Sequence, residues 1–143
     1  MKVISFNING IRAREHQLKA LQEQFNPDII GIQESKVQDT EFPLSMVNSI
    51  GFHCDYHGQK SHYGVCLLGK NPPNEVNKGF PTDSEDAQRR MIIGQYSLSD
   101  GRTLKVLNGY FPQGENRDHP VKFPAKRRFY KDLMNYLETY CSP

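Results

Sequence analysis

A chain of 143 residues has room for one ordinary domain, and its hydrophobic fraction of 36%, mean hydropathy of -0.69 and lack of Trp are lean for a self-contained core. A net charge of +2 and a pI near 8.4 permit an anionic partner without demanding one. Three widely spaced cysteines, Cys54, Cys66 and Cys141, fit no zinc or disulfide pattern and point to free thiols in a reducing compartment. No apolar run is long enough for a membrane span, and strand-like sequence from Met1 leaves no room for a signal peptide, so a cytoplasmic protein is expected.

In chain order, residues 3–8 form a β-rich strand that ends at the Asn9-Gly10 turn signal. Residues 12–25 read as an amphipathic helix with Leu18, Leu21 and Phe25 on one face, closed by Pro27. Ile29-Ile30-Gly31-Ile32-Gln33 is a short apolar run and reads as a buried strand that stops on Glu34. Gly31 removes a side chain in mid-strand, which predicts the close approach of another backbone or a ligand. The spacing leaves parallel and antiparallel pairing of these two strands open.

A short helix is expected over 44–50, closed by Gly51. Strands over 52–56 and 63–68 make a hairpin around the polar run His57-Gly58-Gln59-Lys60-Ser61-His62. Residues 71–86, with Pro72, Pro73 and Pro81, read as a polar loop. Strands over 91–98 and 103–110 follow, joined through Ser99-Asp100-Gly101 as a second hairpin. An irregular stretch over 111–123 leads to a last helix that opens at Pro124. Phe129, Leu133, Tyr136, Leu137 and Tyr140 are expected on one of its faces.

Three of these strands end in polar groups: Asn7, Glu34 and Asn108-Gly109-Tyr110. Ligands of α/β sheets collect at such ends. One carboxylate with amide oxygens and water suits Mg²⁺, which keeps part of its hydration shell. A phenol such as Tyr110 at the same rim can donate to a phosphate oxygen. Arg89-Arg90 and Lys122 are candidates to face a phosphate backbone, although a solvated surface is the usual fate of single cations. The five histidines show no ligand spacing and read as surface or structural groups.

Several runs then carry a resemblance. Ser5-Phe6-Asn7-Ile8-Asn9-Gly10-Ile11-Arg12-Ala13, Gly31-Ile32-Gln33-Glu34-Ser35-Lys36, Tyr56-His57-Gly58-Gln59-Lys60 and Gln88-Arg89-Arg90 come first. Asn108 to Glu115 and Arg117 to Pro124 continue the series, and the whole set, to about Thr139, closely resembles bacterial exonuclease III. The resemblance implies a Mg²⁺-dependent DNA repair nuclease, with Mn²⁺ as a substitute metal. Its expected substrates are duplex DNA with 3′ ends, degraded as an exonuclease, and abasic sites, cut as an endonuclease. The implied fold is α/β: the N-terminal half of the four-layered sandwich of DNase I-like phosphoesterases, as one mixed sheet with flanking helices. By motif, Glu34 matches the metal-binding glutamate, Asn7 the asparagine beside the metal, and Tyr110 the catalytic tyrosine near the scissile phosphate. Arg90, Gln113 and Lys122 match DNA-binding positions, and Tyr63 matches a minor-groove position.

The family's later motifs, a Gly-Asp-x-Asn with the general base and a C-terminal Asp-His pair, have no counterpart here; Asp118-His119 belongs to the mid-chain loop. The expectation is therefore a truncated domain over 1–143, inactive alone. It has no obligate protein partner evident beyond the missing half, and one apolar sheet face is left uncovered. Two other readings stay open: a non-enzymatic DNA-binding or inert fragment, and a sandwich phosphoesterase acting on lipid or inositol phosphates.

Overall fold

The computed structural model describes residues 1–141, in two compact units. The first comprises Met1–Gly79 and Asp86–Tyr110, and the second Phe80–Glu85 with the chain from Phe111 onward. In the first, β1 (Val3–Asn7) and β2 (Ile29–Gln33) pair in parallel, Asn7 opposite Gln33. That settles the pairing which spacing left open. The crossover is a 3-10 turn over Ile11–Ala13 followed by α1 (Glu15–Phe25). α1 ends on Asn26 in the left-handed region, a conformation Asn tolerates well, and Pro27 blocks continuation. Leu18 is fully buried, whereas Phe25 is exposed rather than part of the apolar face.

α2 (Leu44–Ile50) stops at Gly51, whose φ of 104° suits glycine. β3 (His53–His57) and β4 (Val65–Gly69) form the expected antiparallel hairpin, with β4 inserted between β2 and β3. Every residue of β2 and β4 is buried. Alternation explains this. Ile30, Ile32, Cys66 and Leu68 pack with Leu18, Val47 and Phe52 from the helical side, and Ile29, Val65 and Leu67 face the other way.

That other face is where two expectations are corrected. β6 (Met91–Ser97) and β7 (Thr103–Gly109) do form a hairpin, through Gly101, but they do not extend the mixed sheet. With β5 (Glu75–Lys78) they make a separate antiparallel sheet, in the order β5-β6-β7. Ile92, Tyr96 and Val106 of this sheet pack on Ile29, Val65 and Leu67, so the face expected to be bare is covered over β2 and β4, while on β1 Val3 stays exposed. β5 lies inside the segment expected to be a loop. The α/β class and the mixed sheet stand; the strands are shared between two sheets. The three cysteines are free thiols.

In the second unit, α3 (Lys122–Tyr140) begins two residues before Pro124. His119 Nδ1 accepts from the backbone N–H groups of Val121 and Lys122, closing the loop onto the start of the helix. Phe129 meets Phe80 and Phe111, with ring centroids 5.5 and 5.0 Å apart, and Tyr136 meets Phe80 at 6.1 Å. Leu137 and Tyr140 are exposed, so the apolar face is narrower than expected. Among the described residues, no helix is long and apolar enough to cross a membrane.

Candidate active site

Beyond the carboxyl ends of β1, β2 and β7 the chain leaves the sheets, yet the main chain stays tied together. Ile8, Gly10 and Ile11 donate backbone N–H groups to the carbonyls of Gln33, Glu34 and Ser35, at 3.0, 2.8 and 3.1 Å. Ser35 and Lys36 donate to Gly64 and Tyr63, Gly64 donates to Arg89, and Tyr110 donates to Arg90 at 2.7 Å. Seven bonds thus run across five separate segments. Asn9, Glu34, Lys36 and Tyr63 all hold positive φ between 48° and 57°, a conformation costly for non-glycine residues and concentrated here. Gly64, at φ 81°, has no room for a side chain, because a Cβ would lie 2.2 Å from the buried Ser35 Oγ.

This frame aims Glu34 at the rim. Its Oε1 accepts from Asn7 Nδ2 at 2.9 Å, and its Oε2 faces Lys36 Nζ at 3.0 Å. Asn7 Oδ1 accepts from Asn9 N–H at 3.2 Å, and Lys36 Nζ also donates to Asn9 Oδ1 at 2.5 Å. The Asn7 amide, with Lys36 and the Tyr110 hydroxyl adding their hydrogen bonds, draws the Glu34 carboxyl from 4.5 down to about 2. The carboxylate is therefore ionised at any working pH. Burial raises the Tyr110 phenol above its ordinary value, and its bond to Glu34 raises it further, so the hydroxyl remains a donor.

Arg90 closes the other side. Its guanidinium carbon lies 4.3 Å from the Tyr63 ring centroid and 5.1 Å from that of Tyr110. Nη1 donates to the Tyr110 carbonyl at 3.0 Å and Nε to Gln88 Oε1 at 2.7 Å. Burial lowers its pKa, but an arginine remains charged. Half-buried between two rings, Arg90 fixes the tyrosines as well as offering charge. The structure thus brings together Asn7, Glu34, Tyr63, Arg90 and Tyr110.

Gln113 and Lys122 belong to the second unit. Gln113 is exposed, and its carbonyl accepts from Lys126 Nζ at 3.3 Å. Lys122 is ion-paired with Glu115, which holds that carboxyl below its ordinary range. Asn108, expected at the rim, is instead buried and turned inward. Sequence reasoning assigned no role to Lys36 and Asn9, although both sit two residues from Glu34 and Asn7. An i, i+2 partner across a turn was the available signal.

Behind the rim, Arg89 Nη1 lies 3.1 Å from His57 Nδ1, and Gln59 Oε1 accepts from the Arg89 backbone at 3.0 Å. Burial, then the nearby Arg89 charge, push the His57 pKa from 6.5 down to about 4. The folded state therefore resists a proton that the unfolded chain accepts. Stability from this group is full above pH 6.5 and is lost as pH falls toward 4, by about 3 kcal/mol. Urea unfolding at stepped pH should show this loss, and His57→Gln should flatten it; an unchanged slope in the variant would remove His57 as the cause.

A strand-end carboxylate held ionised beside a phenol, an arginine and amides is the equipment of phosphoester chemistry. The chain belongs to the Endonuclease/Exonuclease/phosphatase family, whose model matches residues 4–142. It is 56% identical over 138 residues to the exodeoxyribonuclease III of Haemophilus influenzae, covering 96% of this chain and 51% of that protein. Among solved structures, an AP endonuclease from Archaeoglobus fulgidus superposes with a TM-score of 0.86 at 29% identity, over 99% of this chain and 52% of that one. A Neisseria 3′ phosphatase bound to a product DNA hairpin gives 0.84 at 32%, over 96% and 51%. The chain spans about half the length of the curated relatives it matches.

Proposed function

We propose that this chain carries one half of the active centre of a Mg²⁺-dependent DNA repair hydrolase. Its substrates would be duplex DNA, cut as a 3′–5′ exonuclease at 3′ ends and as an endonuclease beside abasic sites. The observation that carries the reading is the convergence of Glu34, Asn7, Tyr110 and Arg90 on one rim, in a chain 56% identical to an exodeoxyribonuclease III.

The donor set suits Mg²⁺ in one respect: an ionised carboxylate, Glu34, whose Oε2 would exchange the Lys36 ammonium for the ion. Mn²⁺ would fit the same oxygens. Among the described residues no group of three His, Cys, Asp or Glu converges, and Glu34 is the carboxylate that the rim bonds hold in place. When bound, the ion would neutralise phosphate charge as a Lewis acid. Glu34 would hold it, and Asn7, hydrogen-bonded at both ends of its amide, would hold Glu34. Tyr110 would donate its hydroxyl to a non-bridging phosphate oxygen. Arg90 would keep Tyr110 in place and add positive potential, with Tyr63 beside the groove. Gln113 and Lys122 would contact the DNA backbone, where Lys122 must first exchange Glu115 for a phosphate. Free thiols throughout agree with a reducing, cytoplasmic setting.

Among the described residues no cluster of three His, Cys, Asp or Glu gathers that could both hold the ion and activate water, so the chain alone should not turn over. The test is cleavage of a duplex with one abasic analogue, by this chain, by the second half of the Haemophilus relative, and by both. Cleavage is expected only in the mixture. Mg²⁺-dependent cutting by this chain alone, abolished by Glu34→Gln, would overturn the division of labour. A mixture that leaves DNA intact but releases phosphate from an inositol phosphate would overturn the substrate. Salt-dependent DNA binding with no turnover in either arrangement would favour a non-enzymatic binding fragment.

A further inference from the structure

Asn108 is a carboxamide 5% exposed beside a cluster of Ile, Val, Leu and Tyr between the sheets. From β7, in the second sheet, its Nδ2 donates to the carbonyls of Ile32 on β2 at 2.8 Å and Cys66 on β4 at 2.9 Å. Its Oδ1 accepts from Gln33 Nε2 at 2.6 Å, and the same nitrogen lies 3.1 Å from Ser5 Oγ on β1 and from the Gly31 carbonyl. One pair of amides thus touches four strands belonging to both sheets. The space exists because residue 31 is glycine; a Cβ there would sit 2.9 Å from Asn108 Oδ1.

Apolar contact between sheets is non-directional and tolerates sliding, whereas buried amide bonds are satisfied in one arrangement only. A leucine would fill the volume without the cost of desolvating an amide. The polar network therefore selects a register rather than supplying bulk. What it registers is visible in the chain: Gln33 precedes Glu34, and Asn108 stands two residues before Tyr110, the first residue past β7, which packs on the same apolar layer.

We propose that Asn108, with Gln33 and the gap at Gly31, is a positioning residue that locks the second sheet to the first so that Tyr110 meets Glu34. The inference rests on the reading of Glu34 and Tyr110 as parts of one site. It touches no reacting group itself; it sets where two of them stand.

The test needs neither metal nor substrate. The full chain is labelled with 3-fluorotyrosine, and the Tyr110 fluorine signal is assigned with Tyr110→Phe. The readout is the shift of that signal caused by Glu34→Gln, measured in the parent and again in Asn108→Leu. Val106→Ala, which loosens the same inter-sheet layer without touching the amides, is the control. A clear response is expected in the parent and in Val106→Ala, falling about threefold or more in Asn108→Leu. An undiminished response in an Asn108→Leu protein with parental circular dichroism overturns the inference alone. No response in the parent overturns the shared reading of the site. Should Asn108→Leu not fold, Gln33→Met removes the 2.6 Å bond while leaving Asn108 on both carbonyls. A reduced response there supports the proposal, and a parental one overturns it.

Discussion

Glu34→Gln should abolish most of the metal affinity of this chain and most of the cleavage by its mixture with a complementary half. The substitution keeps the shape of the side chain and an oxygen for Asn7, but removes the carboxylate charge proposed to hold the ion. Mn²⁺ affinity, read from water-proton relaxation, is expected to fall about tenfold or more, since one charged ligand carries the site. Cleavage of the abasic duplex by the mixture should fall on the order of 10²–10³, the range for losing a transition-state charge stabiliser. Parental affinity in the variant would take Glu34 out of the metal site.

Gly58→Ala is expected to destabilise the chain strongly. A Cβ on Gly58 would lie 2.3 Å from the Val37 carbonyl oxygen and 2.8 Å from Asp39 Oδ1. The first is main chain and cannot rotate away. The Gly58 N–H also donates to Asp39 Oδ1 at 2.6 Å, so backing off would break that bond as well. Overpacking that forces backbone to move costs about 1–3 kcal/mol, and the upper end is expected here. Because residues 58–62 lead directly into Tyr63 and Gly64, the strain should spread to the rim. Urea denaturation will read the loss; a midpoint within experimental error of the parent would show that the loop yields freely.

The comparison of sequence with structure is instructive at particular residues. β1, β2 and α2 were legible because their side chains alternate or cluster and their ends carry Asn-Gly, Pro or Gly. β5 was not, because Glu75-Val76-Asn77-Lys78 offers one apolar side chain among polar neighbours and prolines. It forms through main-chain pairing with β6, an interaction that side-chain periodicity does not record. Hairpin signals likewise located β6 and β7 without saying which layer they enter, since a turn fixes pairing and not the face beneath it.

At the site, a charge at the end of an apolar run made Glu34 a candidate, and the polar ends of two other strands strengthened it. The meeting of Arg90 with Tyr63 and Tyr110 was hidden, because three segments far apart in sequence converge there. Asn108 was misjudged from its place near a strand end. The correct signal was period two: Val106, Asn108 and Tyr110 share the inward face, opposite a glycine in β2 whose missing side chain had already announced a close approach.

The ties among the rim segments are made by peptide groups, and a peptide group is the same whatever residue bears it. The scaffold of the site is thus largely indifferent to which side chains it displays. Natural selection can exchange a rim residue without dismantling the rim, provided glycine keeps its place at position 64. Such a frame can carry one set of rim side chains or another, each change being one of decoration on an unchanged loom.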